Sequence, residues 1–306
     1  MQNKSEKWIA VDWGTSNFRA YLLEGSQVVD QVLTNEGMKF LNKNKFEKVL
    51  VNNISKWLSS NNTIQVLASG MVGAKQGWIE VPYTETPCSV MKLKVLSPKV
   101  KNKKIKVYIL SGVAQNYPED VMRGEETQLA GYFLNHPNFS GSICLPGTHS
   151  KWVKVKNYEI INFNTFLTGE LYEIVKNYSV IKHSVSTEQI CENTLLEGVD
   201  KILKNQGNFS NELFQLRAKH LLKNQTLVES NSLLSGYFLG LELLGSKHYW
   251  YKKDVILIGS DYLNHFYELC LKKEVNSIKK FSSSEMTLKG LNYFKNNLNF
   301  DDLMTS

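Results

Sequence analysis

Cysteine is scarce in this chain. Its four residues, Cys88, Cys144, Cys191 and Cys270, form no CxxC pair and show no cysteine–histidine spacing of a zinc site. That excludes a disulfide-stapled scaffold and a cysteine-built metal centre, and isolated thiols fit a reducing compartment. Proline is sparse as well, and no proline-rich or low-complexity linker interrupts the chain. Long apolar runs are missing too. The most apolar late stretch, Leu233 to Leu244, carries Ser235 and Glu242 and is too short to span a bilayer. The start, Met1 to Lys7, is polar and lacks the apolar core of a signal peptide. These absences point to a cytoplasmic protein without a membrane partner.

Acidic residues are outnumbered 29 to 36 by lysine and arginine, for a net charge of +7. The basic residues are spread out, and the densest run, Lys99 to Lys106, reads as a solvated loop with no interleaved aromatics. No nucleic-acid partner is therefore expected; small anionic ligands suit the same balance. With 306 residues and 42% hydrophobic side chains, the chain is long enough for two domains with a core each.

The organising stretch is Trp8 to Arg19. An apolar run ends at Asp12, the chain turns through Gly14-Thr15-Ser16-Asn17, and an apolar run resumes at Phe18. This predicts a β-hairpin with a polar tip. Such a tip offers backbone N–H groups and short donors to an anion, and a carboxylate at the strand end can hold a hydrated divalent cation beside it. An ordinary turn with a solvated aspartate is the plain alternative.

A third strand is expected over Gln27 to Leu33, an amphipathic helix over Lys45 to Leu58, and a buried strand over Thr63 to Ala68. Three hairpin strands, a helix and a further strand open a ribonuclease-H-like α/β unit. The glycine loop Ser69-Gly70-Met71-Val72-Gly73, with Gly77-Trp78 and Tyr83 after it, is either a ligand-lining loop or a structural turn. After the strand Val107 to Ser111, a loop is expected from Gly112 to Asp120, then a helix opening near Glu125 and Glu126. Ser142 to Leu145 and Pro146-Gly147-Thr148-His149 repeat the opening design, with strands following at Trp152 to Val155 and Tyr158 to Ile161. Helices are expected from Gly169 through Val175, over Thr187 to Leu203, Glu212 to Leu222 and Ser230 to Leu243, through Leu271, and over Glu285 to Phe294. Asp254 to Ile258, stopped by Gly259-Ser260, reads as the last strong strand.

Two Gly-Thr hairpins one domain length apart form a weak internal repeat. The expected architecture is α/β, with two ribonuclease-H-like domains facing across a nucleotide cleft. Their bounds are 1–138 and 139–306, and the last helix packs back on the first domain.

Five stretches carry a family resemblance: Val11 to Asn17, Ser69 to Gly73 with Gly77-Trp78, Val121-Met122-Arg123-Gly124-Glu125-Glu126-Thr127-Gln128, Pro146 to Val153, and Leu167-Thr168-Gly169-Glu170-Leu171. In these the chain resembles the 2-dehydro-3-deoxygalactonokinase family of the acetate and sugar kinase/Hsp70/actin superfamily. The resemblance identifies the two domains as actin-like ATPase domains and implies phosphorylation of the C6 hydroxyl of 2-dehydro-3-deoxy-D-galactonate, with ATP and Mg2+, in galactonate catabolism. It implies a metal-side carboxylate at Asp12, a first phosphate loop with Gly14, Thr15 and Asn17, a second with Gly147, Thr148 and His149, and an adenosine turn at Gly259 and Ser260. Larger carbohydrate kinases of the superfamily place a Gly-Asp base ahead of the second loop. Here Gly124-Glu125 stands in that place, so Glu125 is the expected base, with adjacent Glu126 the other option. The substrate's carboxylate needs cationic or N–H partners, for which Arg123 and the Gly70, Met71, Val72, Gly73 loop are candidates; Trp78, Thr168 and Glu170 are pocket-wall candidates.

Three rival readings carry different sequence demands. A kinase of the same superfamily for another sugar or keto-deoxy sugar acid would need only a few changed pocket groups. A non-catalytic nucleotide switch of actin or Hsp70 type would need an added polymerising or peptide-binding part. A nuclease needs several carboxylates around two metals, whereas the first hairpin offers Asp12. Oligomeric state stays open, a dimer being one option.

Overall fold

The computed structural model describes residues 6–59 and 62–298; the polar start of the chain before residue 6 lies outside the described residues. These group into two compact units. One draws on the described parts of Met1–Ser140, Val155–Asn162 and Ser283–Ser306, the other on Gly141–Lys154 and Phe163–Ser282.

In the first unit, β1 (Lys7–Trp13) pairs antiparallel with β2 (Phe18–Glu24), which pairs antiparallel with β3 (Gln27–Thr34). On the other side β1 runs parallel to β4 (Ile64–Gly70), and β4 parallel to β5 (Ile105–Leu110). The order β3-β2-β1-β4-β5 follows from burial. Central β1 is apolar on both faces, as parallel neighbours require, while edge strand β3 is largely exposed. Helix α1 (Phe46–Ile54) buries Phe46, Leu50 and Ile54, four residues apart, against Ile9, Val11 and Trp13. It is shorter than its periodicity predicts, because Ser55–Trp57 tightens into a 3-10 turn.

Where a loop was expected after Gly112, the chain folds instead into a small ribbon. Val113–Asn116 pairs antiparallel with Glu119–Met122 and parallel with Thr84–Glu85. Four-residue strands with exposed alternate positions give too little periodicity to read. The ribbon leads into α2 (Glu125–Phe133), which packs on α8 (Ser283–Asn297) with backbones in contact. A Cβ on Gly131 would lie 2.0 Å from the Met286 carbonyl, and one on Gly290 2.0 Å from that of Thr127.

The second unit repeats the strand order. Strands β6 (Ser140–Leu145), β7 (Ser150–Lys156), β8 (Glu159–Phe166), β9 (Asp254–Gly259) and β10 (Ser277–Ser282) lie as β8-β7-β6-β9-β10, with β6, β9 and β10 parallel. The hairpin end of β7 and β8 groups with the first unit, where Cys88–Ser89 pairs antiparallel with β8. Strand β10 escapes sequence reading. It follows the strand taken as last and carries exposed Lys279 and Lys280, charges that suit a sheet edge but hide the β pattern.

Around this sheet lie α3 (Thr168–Tyr178), α4 (Glu192–Lys204), α5 (Phe209–Lys223), α6 (Leu227–Gly245) and α7 (Asp261–Leu271). Helix α6 opens with a capping box in which Thr226 Oγ1 accepts from the Glu229 N–H and the Glu229 carboxylate accepts from the Thr226 N–H. It is mostly buried, which explains its near-continuous apolar face. Among the described residues no helix is long and apolar enough to cross a membrane.

Candidate active site

In the first unit the β1–β2 hairpin fixes Asp12 opposite Arg19, and Arg19 Nη1 donates to Asp12 Oδ2 at 2.8 Å. The Asp12 side chain is 21% exposed. Burial pushes its carboxyl upward, Arg19 opposes that, and the charge on Glu125 adds to the rise. The tip closes with Gly14 N–H donating to the Asn17 carbonyl at 2.9 Å. Residues 37–39 brace it: Gly37, Met38 and Lys39 donate to the carbonyls of Ser16, Gly14 and Thr15. Gly37 must be glycine, since a Cβ there would lie 2.3 Å from the Ser16 carbonyl carbon.

Strand β4 ends beside this hairpin, with Ser69 opposite Asp12 and Gly70 opposite Trp13. Gly70 takes φ +94 and would press a Cβ to 2.8 Å from the Trp13 carbonyl. The Gly70–Gly73 loop it opens contributes backbone rather than side chains. Val72 is core, and half-buried Trp78 stacks on Phe46 at 6.3 Å and meets Trp13 at 6.5 Å.

Arg123 lies behind the loop. It is 8% exposed; its Nη2 donates to the Val81 carbonyl at 2.9 Å and its guanidinium lies 4.3 Å from the Tyr83 ring centroid. Nε and Nη1 have no hydrogen-bond partner among the described residues. This is a buried guanidinium with two donor nitrogens unpartnered among the described residues and no carboxylate bonded to it.

Next in sequence, Gly124 takes φ +112 as the cap of α2. The two following acids turn back on this corner differently. Glu125 Oε2 accepts from the Arg123 N–H at 3.0 Å and the side chain is half-buried. Glu126 is 0% exposed, and both its oxygens accept from the Gly124 N–H at 2.8 Å. Burial, then the neighbouring Glu125 charge, pushes the Glu126 carboxyl up to about 8. Glu126 therefore holds a proton at neutral pH, while Glu125 is near enough to Asp12 for their charges to interact.

The second unit assembles another group. Between β6 and β7, Gly147 has open space where a Cβ would be, Thr148 is exposed and His149 is half-buried. His149 Nε2 and Glu170 Oε2 form a close pair, and Glu170 N–H donates to the Thr148 carbonyl at 3.0 Å. Gly169 allows this approach, because a Cβ on it would lie 2.8 Å from both the Gly147 carbonyl oxygen and Thr148 Cα. Thr168 turns its hydroxyl inward, donating to Glu242. Gly259 sits against Pro146, and Ser260 caps α7 by accepting from the Leu263 N–H at 3.3 Å. Lys151, 4% exposed, donates to the His149 carbonyl at 3.2 Å.

Thus Asp12, the Gly70–Gly73 loop, Arg123, Glu125 and Glu126 belong to one neighbourhood of the first unit, and Gly147, Thr148, His149, Thr168, Glu170 and Gly259 to one of the second. Sequence reasoning passed over Lys151 and Glu242; the available signal for Glu242 was an acid inside the most apolar stretch of the chain. Among the described residues no three histidines, cysteines or carboxylates cluster as a metal site. Mg2+ fits this arrangement all the same, since it commonly uses one or two carboxylates and takes its other ligands from phosphates and water; Asp12 is the carboxylate so placed.

The 2-keto-3-deoxy-galactonokinase family model matches residues 12–294. A Rhizobium meliloti protein named as a 2-dehydro-3-deoxygalactonokinase is 32% identical over 93% of this chain and 95% of its own. The 2-dehydro-3-deoxygalactonokinase of Escherichia coli is 30% identical over 79% of this chain and 81% of its own. The crystal structure of a Sinorhizobium meliloti protein described by the same activity superposes with a TM-score of 0.87, at 30% identity and 98% coverage of both chains. Component A of the Acidaminococcus fermentans (R)-2-hydroxyglutaryl-CoA dehydratase, at 14% identity and a TM-score of 0.50 over 94% and 97% of the two chains, shares the fold alone. With its two ribonuclease-H-like strand orders and its Arg-Gly-Glu-Glu corner, the chain belongs to the 2-keto-3-deoxy-galactonokinase family.

Proposed function

We propose that this chain transfers the γ-phosphoryl group of ATP to the C6 hydroxyl of 2-dehydro-3-deoxy-D-galactonate, giving the 6-phosphate. The observation that carries the reading is Arg123, a buried guanidinium whose Nε and Nη1 have no hydrogen-bond partner among the described residues, two residues from a half-buried carboxylate. A neutral hexose would leave that cation unanswered; a sugar acid supplies the carboxylate.

In this mechanism Arg123 grips the substrate carboxylate and Glu125 accepts the C6 hydroxyl proton as the oxygen attacks phosphorus. Glu126 stays protonated and holds the Gly124 corner, which sets the direction of its neighbour. Gly14, Thr15 and Asn17 bind the outer phosphates, Gly147, Thr148 and His149 grip the phosphates from the second unit's loop, and Gly259 and Ser260 receive the adenosine. Arg19 stabilises charge on the transferring group. Magnesium held on Asp12 and the phosphates would neutralise charge on the phosphate oxygens. We place the reaction in the cytoplasm, with small-molecule partners only.

The test is ATP-dependent phosphorylation of 2-dehydro-3-deoxy-galactonate beside its gluconate epimer, neutral hexoses and the corresponding sugar alcohol. Turnover of the galactonate-derived acid with none of the neutral compounds is expected. Equal turnover of a neutral hexose would sink the assignment. Preference for the gluconate epimer would keep the kinase and change its substrate.

A further inference from the structure

Glu242 is the acid that interrupts the most apolar stretch of the chain, and it is 1% exposed. A carboxylate in such a place is costly unless its oxygens are saturated with donors. Its Oε1 accepts from Trp152 Nε1 at 2.8 Å, and its Oε2 accepts from the Tyr267 hydroxyl at 2.7 Å and from the Thr168 hydroxyl. Burial pushes the carboxyl up, and these hydrogen bonds, with one from Ser150, oppose the rise.

The donors come from β7, α3 and α7, and converge on the loop Gly147–His149. Ser150 directly follows that loop, and Thr168 opens the helix whose Gly169 and Glu170 rest on its backbone. The direction of the hydrogen bonds is set from the buried end. Tyr267 has one proton and gives it to Glu242, so towards Ser150, 2.9 Å away, its oxygen can only accept; the Ser150 hydroxyl has that oxygen, Glu242 and the Gly147 carbonyl at 3.4 Å within its reach. The Ser150 oxygen also accepts from the Gly147 N–H at 3.4 Å, so Ser150 meets both polar backbone groups of Gly147. Glu242, as the shared acceptor, thereby anchors a hydrogen-bonded chain that ends on the loop's own backbone.

We propose that Glu242 is a positioning residue for nucleotide binding. From the interior of the second unit it fixes both the exit of the Gly147–His149 loop, through Ser150 and Trp152, and the helix start that braces it, through Thr168. The proposal rests on the reading above that this loop holds ATP phosphates. A purely structural acid would affect stability and leave nucleotide affinity alone.

Two variants of the full chain separate these roles. Glu242→Gln keeps the volume and puts an NH2 donor where one of the two acceptor oxygens stood. Tyr267→Phe keeps the carboxylate with its Trp152 and Thr168 donors and removes the hydroxyl that bridges it to Ser150. Calorimetric binding of a non-hydrolysable ATP analogue, without sugar acid, should weaken about tenfold in Glu242→Gln and about threefold in Tyr267→Phe, while KM for the sugar acid moves less than about twofold. Analogue affinity within about twofold of the unaltered protein in Tyr267→Phe and in any Glu242→Gln that keeps a native circular dichroism spectrum would overturn the proposal, whatever their melting temperatures. If Glu242→Gln does not fold, Tyr267→Phe decides alone. A wrong acceptor assignment leaves this binding arm untouched, whereas failure of the unaltered protein to bind any ATP analogue would defeat both readings.

Discussion

Arg19 Nη1 donates to Asp12 Oδ2 at 2.8 Å, and the two are direct cross-strand partners in the first hairpin. Even so, burial outweighs the guanidinium and the Asp12 carboxyl is raised above its ordinary value. The folded state thus favours the protonated form. The stability this group contributes is complete below the ordinary carboxylate range and is lost as pH rises through the folded pKa. Asp12→Asn should therefore raise the melting temperature at pH 7.5 by a few degrees, while turnover falls by on the order of a thousandfold. A less stable Asn variant, measured by calorimetry, would contradict the electrostatic account.

The adjacent acids Glu125 and Glu126 should separate by substitution. Glu125→Gln is expected to lower kcat by about a hundred- to ten-thousandfold with KM little changed. Glu126→Gln should keep most of the activity and change the pH dependence of stability. The folded state holds the Glu126 proton up to about 8, well above the ordinary carboxylate value. Its contribution is present at low pH and lost as pH rises to about 8, so the native melting temperature should decline across that window more steeply than the Gln variant's. Thermal scans from pH 5 to 9 and steady-state rates at pH 7 check both halves.

Arg123→Lys retains a charge but not the planar fork or the stacking on Tyr83. It should raise KM for the sugar acid about tenfold, and Arg123→Met about a hundredfold, with KM for ATP unmoved. Initial-rate kinetics in each substrate in turn give the answer; a shift in the ATP term alone would assign Arg123 to the nucleotide.

Gly169→Ala places a methyl 2.8 Å from the Gly147 carbonyl oxygen and from Thr148 Cα. Backbone must move, and the second loop moves with it. KM for ATP should rise about tenfold while the sugar acid's stays within about twofold, as read by initial rates.

Much of the fold was readable because its central strands are short and densely apolar. Val11, Ile143 and Ile256 sit in runs that burial on both faces demands, and Gly-Thr tips mark where such runs reverse. Strand β10 and the Val113–Met122 ribbon were not readable, since exposed edge strands carry lysines and single valines that look like loop. The site divided along the same line. Asp12, Gly147 and the Arg123–Glu126 corner lie on local motifs, and Trp78, expected as a pocket wall, is half-buried and stacks on Phe46. Nothing local distinguishes a stacking indole from a ligand wall. Nor does spacing bring Glu242 to Trp152, Thr168 and Tyr267, because those contacts exist only once the second unit has folded.

Helix α8 lies against α2 closely enough that Gly131 and Gly290 admit no side chain, yet the whole second unit stands between them in the chain. During synthesis the first unit's strands and the Arg-Gly-Glu-Glu corner emerge long before the helix that backs them. The first unit's packing therefore depends on a segment that follows the second unit in the chain. A chain cut before Ser283 would leave Gly131 and its helix without the backbone that closes on them.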